Sequence, residues 1–343
     1  MKKYLENYKQ KYKQQLLNLL WKQWNSLGIS GYGEKWSNSV IDLEALLLFS
    51  STVSRYDPRL FDGIIEWVYK YENLINIQRL NNIQNIKNFP NTRIISAIAF
   101  KVKNSVNTLK WDKLTKFDED KVTESENLFF LPDNKPLPVL GEKDKAFLKY
   151  KLIRNKYIHQ DVVKDALAVN NENLILRLRS FLGLNSRCEI ILYLLINNQG
   201  SPREIARECY YYPATISKTL NEMSLSSFIV SEVKGRKKSY SFSNDEWVNL
   251  LISGNDGLRW INWSNIFKFF EIFWTFLFSE HLNSYNEEQL SSVLRRLILE
   301  KMISEINNSG LDDKIHKRLL PLGIDLIPYF IEKMKKIISC LCL

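Results

Sequence analysis

The stretch from Ser201 to Phe242 constrains the fold of this chain more than any other, because its punctuation sets an order of elements. Ser201 can cap a helix, Pro202 suits a first helical position, and Glu204 puts a carboxylate in the first turn. A second start proline, Pro213, precedes an apolar stripe of Ile216, Leu220 and Met223 at helical spacing. Tyr210-Tyr211-Tyr212 is left as the turn between two helices. Beyond them, Ile229 to Val233 and Lys238 to Phe242 read as the strands of a hairpin, with Gly235 supplying positive φ at a basic tip. Upstream, the near-continuous apolar run Ile190 to Ile196 suits a buried helix under the other two. The predicted order is helix, helix, turn, helix, hairpin.

Through Pro202, Ile205, Ala206, Thr215, Ile216, Ser217, Leu220, Phe228, Ile229, Gly235, Arg236 and Tyr240, the chain resembles winged-helix transcription regulators of the multiple-antibiotic-resistance-regulator and arsenic-repressor type. The likeness covers roughly Leu184 to Asn244, under a fifth of the chain. The sequence departs from the pattern at Tyr210-Tyr211-Tyr212, where many members place a glycine. The resemblance implies a winged helix-turn-helix that lays its second helix in the major groove of double-stranded DNA.

If Ile216, Leu220 and Met223 face inward, a helical wheel puts Ala214, Lys218 and Asn221 opposite them, with Thr215 and Ser217 on the flanks. Such short polar chains with one Lys and one Asn suit base edges or phosphates, and Asn221 suits adenine. Glu222, near this face, would be repelled by phosphates, so the helix is expected to enter with its N-terminal half foremost. Lys234, Arg236, Lys237 and Lys238 on the hairpin are candidates for phosphate or minor-groove contact, and Arg203 and Arg207 for the backbone that the first helix crosses.

The balance of 48 Lys+Arg against 38 Asp+Glu gives a formal charge of +10 and a pI near 9.2, which suits a nucleic-acid partner. Four cysteines, at 188, 209, 340 and 342, offer neither metal-ligand clusters nor a disulfide framework, and point to a reducing cytoplasm. No apolar signal core follows the N-terminal lysines, so a non-secreted chain is expected. The aromatic stretch Trp263 to Phe278 is short and interrupted by Lys268 and Glu271, which predicts a core or interface helix and no membrane span.

The expected fold class is mainly α, with a central winged helix-turn-helix flanked by helical domains. Residues 1–111 are expected as a helical N-terminal domain. Within it lie a helix through Leu16, Leu20 and Trp24, one at 41–52 capped by Asp42, and one started by Asp57-Pro58. Acid and proline density from Asp118-Glu119-Asp120 to Leu131-Pro132 and Pro136 to Pro138 predicts a linker or extended arm over 112–172. The DNA-binding unit is expected at 173–250. Residues 251–343 are expected as a helical region for dimerisation or partner binding, with strong helices at 264–278 and 289–306.

A cytoplasmic regulator follows from these readings: a homodimer on double-stranded DNA and a repressor, since occupying a promoter requires no contact with polymerase. No cofactor, metal or catalytic residue is expected. Gly28 to Lys35 is only superficially a phosphate loop, because its Lys does not follow the second glycine and a helix precedes it. Gly31 followed by Asp42 and Glu44 partly resembles nucleotidyltransferases, with Tyr32 in place of their serine. That leaves an enzyme using Asp42 and Glu44 as one rival and a winged-helix interaction scaffold as another. His159, His281 and His316 are scattered without ligand spacing.

Overall fold

The computed structural model describes residues 2–31, 39–117, 122, 124–165, 170–251 and 258–342. The readings at Tyr32, Gly33, Glu34 and Lys35 and at Asp118-Glu119-Asp120 lie outside the described residues. The chain is mainly helical. Its first half contains α1 (Lys2–Ser26), α2 (Leu43–Val53), α3 (Pro58–Tyr71), α4 (Ile77–Lys87) and α5 (Thr92–Val106). Next come β1 (Glu126–Asn127), α6 (Lys145–Leu148), β2 (Leu152–Ile153) and α7 (Leu174–Leu182). The central unit is α8 (Ser186–Asn197), β3 (Gln199–Gly200), α9 (Pro202–Cys209), α10 (Pro213–Ser224), β4 (Ile229–Lys234) and β5 (Lys237–Phe242). It is followed by α11 (Asp245–Leu251), α12 (Trp263–Leu277), α13 (Glu287–Leu297), α14 (Ile303–Asn307) and α15 (Leu326–Cys342).

Helix α2 organises the body. Its sequence LEALLLFSSTV is apolar on nearly every side, and all eleven residues are buried. Asp42 starts it by accepting the Ala45 N–H at 3.1 Å, as the cap reading required. A helix apolar all round needs cover on every side, and both ends of the chain supply it. The Phe49 and Phe267 rings stack at 4.7 Å between α2 and α12, and the Tyr12 hydroxyl on α1 donates to the Phe270 carbonyl at 2.8 Å. One core therefore extends from Leu5 to Leu341. The expected division into separate units at 1–111 and 251–343 gives way to a shared body, because α2 has no face to leave uncovered.

The region 112–172 also differs from an extended arm. Its prolines and acids keep regular structure short, yet Leu128, Phe129, Phe147, Tyr150 and Leu152 are buried. Strands β1 and β2 pair in parallel, Glu126 with Leu152 and Asn127 with Ile153. Arg55 holds the segment by donating to the Asn127 and Leu128 carbonyls, each at 2.9 Å. Arg154 grips Asp62 in a bidentate pair at 2.6 and 3.0 Å. Helix α7, expected inside the DNA-binding unit, packs its Leu174, Leu176 and Leu178 in the body core instead.

The C-terminal helix expected at 289–306 is present: α13, a π-helical turn at Ile298–Met302 and α14 follow one another without a break. Gly310 then turns the chain at φ +88, where a Cβ would lie 2.3 Å from the Trp260 carbonyl oxygen. No described helix is long and apolar enough to cross a membrane.

Candidate nucleic-acid interface

The unit from Ser186 to Phe242 has its own small core, in which Ile190, Leu194, Ile205, Ile216, Leu220 and Tyr240 meet. Helix α9 begins with both halves of a capping box, Ser201 accepting from the Glu204 N–H and Glu204 accepting from the Ser201 N–H. Strands β4 and β5 pair antiparallel from Ile229–Phe242 to Lys234–Lys237, and β3 adds to the other side of β5, giving the order β3-β5-β4. Gly235 sits at the hairpin tip with φ +61 and open space where a Cβ would be. Ile216 and Leu220 face inward as their spacing predicted, with Met223 half-buried beside them.

The turn between α9 and α10 reaches its geometry without glycine. Tyr210 takes a left-handed conformation, φ 60, which a bulky residue adopts only when its surroundings hold it there. Three bonds do so. The Tyr210 hydroxyl donates to Asn262 Oδ1 at 3.2 Å, the Asn82 amide donates to the Tyr210 carbonyl at 3.0 Å, and Arg79 Nε donates to the Cys209 carbonyl at 3.1 Å. The Tyr211 hydroxyl donates to Glu189 at 3.2 Å and accepts from the Asn76 amide at 2.6 Å. The residues that depart from the family pattern fasten the turn to the body.

On α10, Ala214, Thr215, Lys218 and Asn221 are exposed and Ser217 is half-buried, so the wheel placed them as the structure does. The Asn221 Oδ1 accepts the Tyr240 hydroxyl at 2.8 Å. That bond ties α10 to β5. Glu222 is paired with Arg187 of α8 at 2.6 Å, which offsets the repulsion expected from it.

Arg203 and Arg207 on α9 and Lys234, Arg236, Lys237 and Lys238 on the hairpin are all exposed. Their charges are not equivalent. Arg207 pairs with Glu208 at 2.9 Å, Lys234 with Glu232 at 3.2 Å and Lys237 with Glu204 at 2.7 Å. The bond from Lys237, with those from Ser201, holds the Glu204 carboxyl down at about 2. Lys238 lies 4.9 Å from the centre of the Tyr240 ring. Among the described residues the charged groups of Arg203, Lys218, Arg236 and Lys238 have no hydrogen-bond or ion-pair partner in the protein, and Lys238 alone of the four lies over an aromatic ring. Sequence reasoning missed Glu204, Glu208 and Glu232 as the groups that decide which cations stay free.

Asp42 and Glu44 do not form an open carboxylate pair. They begin a helix, and their oxygens are held by arginines. Asp42 takes Arg79 at 2.6 Å on both oxygens. Glu44 takes Arg79 at 2.6 Å and Arg179 at 2.7 and 2.9 Å, and also accepts the Asn76 N–H at 2.8 Å. Arg179 reaches on to Glu189 at 2.7 Å. Burial alone would raise the Glu44 carboxyl, but the Arg179 and Arg79 charges and bonds overcome it and hold it at about 2. The network joins α2, α4, α7 and α8, one bond away from the α9–α10 turn.

His159 has companions that its spacing in the sequence did not suggest: its ring, Glu66 and Asp161 offer ligand atoms within 4.8 Å of one another. Both Glu66 oxygens already accept backbone N–H groups, from Gln160 at 3.2 Å and Val163 at 3.1 Å, so the carboxylate clamps this loop. Comparison with protein-family models, curated proteins and solved structures gives no match to this chain.

Proposed function

We propose that the chain is a double-stranded-DNA-binding regulator whose α8–β5 unit is a winged helix-turn-helix. Helix α10 enters the major groove, and the β4–β5 hairpin is the wing that reaches the flanking backbone. The observation that carries this reading is the set of Arg203, Lys218 and Arg236. These cations stand on α9, α10 and the wing, and among the described residues their charged groups have no protein partner, while acids neutralise Arg207, Lys234 and Lys237 beside them. Unpaired cations spread over the outward elements suit a polyanion. Two copies on a two-fold site would double the few base-reading side chains each α10 provides.

Binding to duplexes from upstream of the gene, by mobility shift at two salt concentrations, tests the reading. Asn221→Ala should cost about 1–3 kcal/mol on a preferred site and much less on random DNA. Equal losses on both would show that α10 does not read bases.

A second reading, a winged-helix interaction module, is favoured by the outer edge of the hairpin. There, among the described residues, β4 has no strand on one side, and Phe228, Val230 and Val233 are exposed. No shift of any duplex, together with oligomerisation abolished by Val230→Lys, would favour it.

A further inference from the structure

We propose that the groove beside the α9–α10 turn seats one strand of the bound duplex, so that α4 of the body forms a second wall of the DNA site. This second wall rests on the regulator reading above and extends its footprint beyond the helix-turn-helix and wing. The groove has a volume of about 560 Å³. One wall carries Arg203 and Arg207 of α9 and Pro213, the first residue of α10; the other carries Asn85 and Ile86 of α4, both exposed.

Charge and position choose the occupant. Lys87, Arg203 and Arg207 line the groove against Glu208 as its acid. The Glu208 carboxylate is already matched by Arg207 at 2.9 Å and by the Asn262 amide at 2.9 Å, while Lys87 pairs with Glu305 at 2.6 Å. Arg203 remains without a protein partner among the described residues, and the groove as a whole favours an anion. It is also continuous with the start of α10, the end expected to enter the major groove first, past which a flanking phosphodiester strand runs. The walls are pre-set, because Asn82 and Arg79 of α4 bond the Tyr210 and Cys209 carbonyls. A strand lying there meets a formed channel and need not open one.

Asn85 gives the test, because it is exposed, its side chain has no hydrogen-bond partner among the described residues and it lies outside the winged-helix unit. Asn85→Lys and Asn85→Asp are compared with wild type and Arg236→Ala in the full chain, titrating a duplex of preferred sequence between roughly 50 and 200 mM salt. The lysine variant is expected to bind more tightly at low salt and to steepen the salt dependence by roughly 0.9 in log–log slope, the aspartate variant to bind more weakly. Wild-type behaviour of both Asn85 variants while Arg236→Ala weakens binding would overturn the groove and leave the regulator reading standing. Equal weakening by lysine and aspartate would also overturn it, since that marks altered shape rather than a charge facing phosphate. Failure of wild type to bind any duplex would remove both.

Discussion

Glu44→Ala should lower the thermal unfolding midpoint by on the order of 5–10 °C, the largest stability loss we expect from any single substitution in this protein. The carboxylate is fully buried and joins two guanidinium groups that are themselves buried. Removing it leaves two cations sharing Asp42 and Glu189 in a low-dielectric interior, where breaking one member of a buried pair costs about 3–5 kcal/mol. Glu44→Gln keeps the shape and one acceptor, and should lose less. Protonation does the same to wild type. The folded carboxyl sits at about 2, below its ordinary 4.5, so its stabilisation is complete above the ordinary value and is lost as pH falls from there towards 2. Thermal melts across that window should fall steeply for wild type and less steeply for Glu44→Gln. The same variants test the enzyme alternative. A Glu44→Ala protein that stays as stable as wild type but loses Mg²⁺-dependent transfer of labelled nucleotide would sink the structural role and support a nucleotidyltransferase.

The parts legible in the sequence are those set by local rules. Ser201 with Glu204, Pro202, Pro213 and Gly235 act through the backbone of their own few residues, and the structure places each cap, start and tip where those rules put them. Ile216 and Leu220 share a face because a helix repeats about every 3.6 residues. What was not legible depends on partners distant in sequence. Glu44 within LEALLL, Arg79 between Ile77 and Leu80, and Arg179 beside Leu178 each put a charge in apolar surroundings, which signals a buried pair without saying which pair. Likewise Tyr210 stands where a glycine would be expected because Asn82, Arg79 and Asn262 hold its strained backbone, through bonds between residues far apart in the chain. The 112–172 segment misled for a related reason. Its prolines report missing regular structure, which is independent of whether Phe129 and Phe147 are buried.

The triple variant Arg203→Ala, Lys218→Ala, Arg236→Ala should reduce the log–log salt slope of duplex binding by roughly 2.7, at about 0.9 for each phosphate no longer neutralised. Between roughly 50 and 200 mM salt its affinity should therefore fall roughly 40-fold less than that of wild type. These three are chosen over Arg207, Lys234 and Lys237 because they bring their whole charge to the partner. Lys237 does not: its ammonium is already bonded to Glu204, so the pair is close to neutral when seen from a phosphate. Removing both charges together, as Lys237→Ala with Glu204→Gln, should leave the slope nearly unchanged, and Gln at that position preserves the capping box that starts α9. The two variants together separate a built phosphate site from a generally basic surface. On a basic surface only the number of cations counts, and the hairpin lysines would matter as much as Arg236. A slope unchanged in the triple variant, or reduced equally by the neutral-pair variant, would show that the outward face of this unit is not where DNA binds.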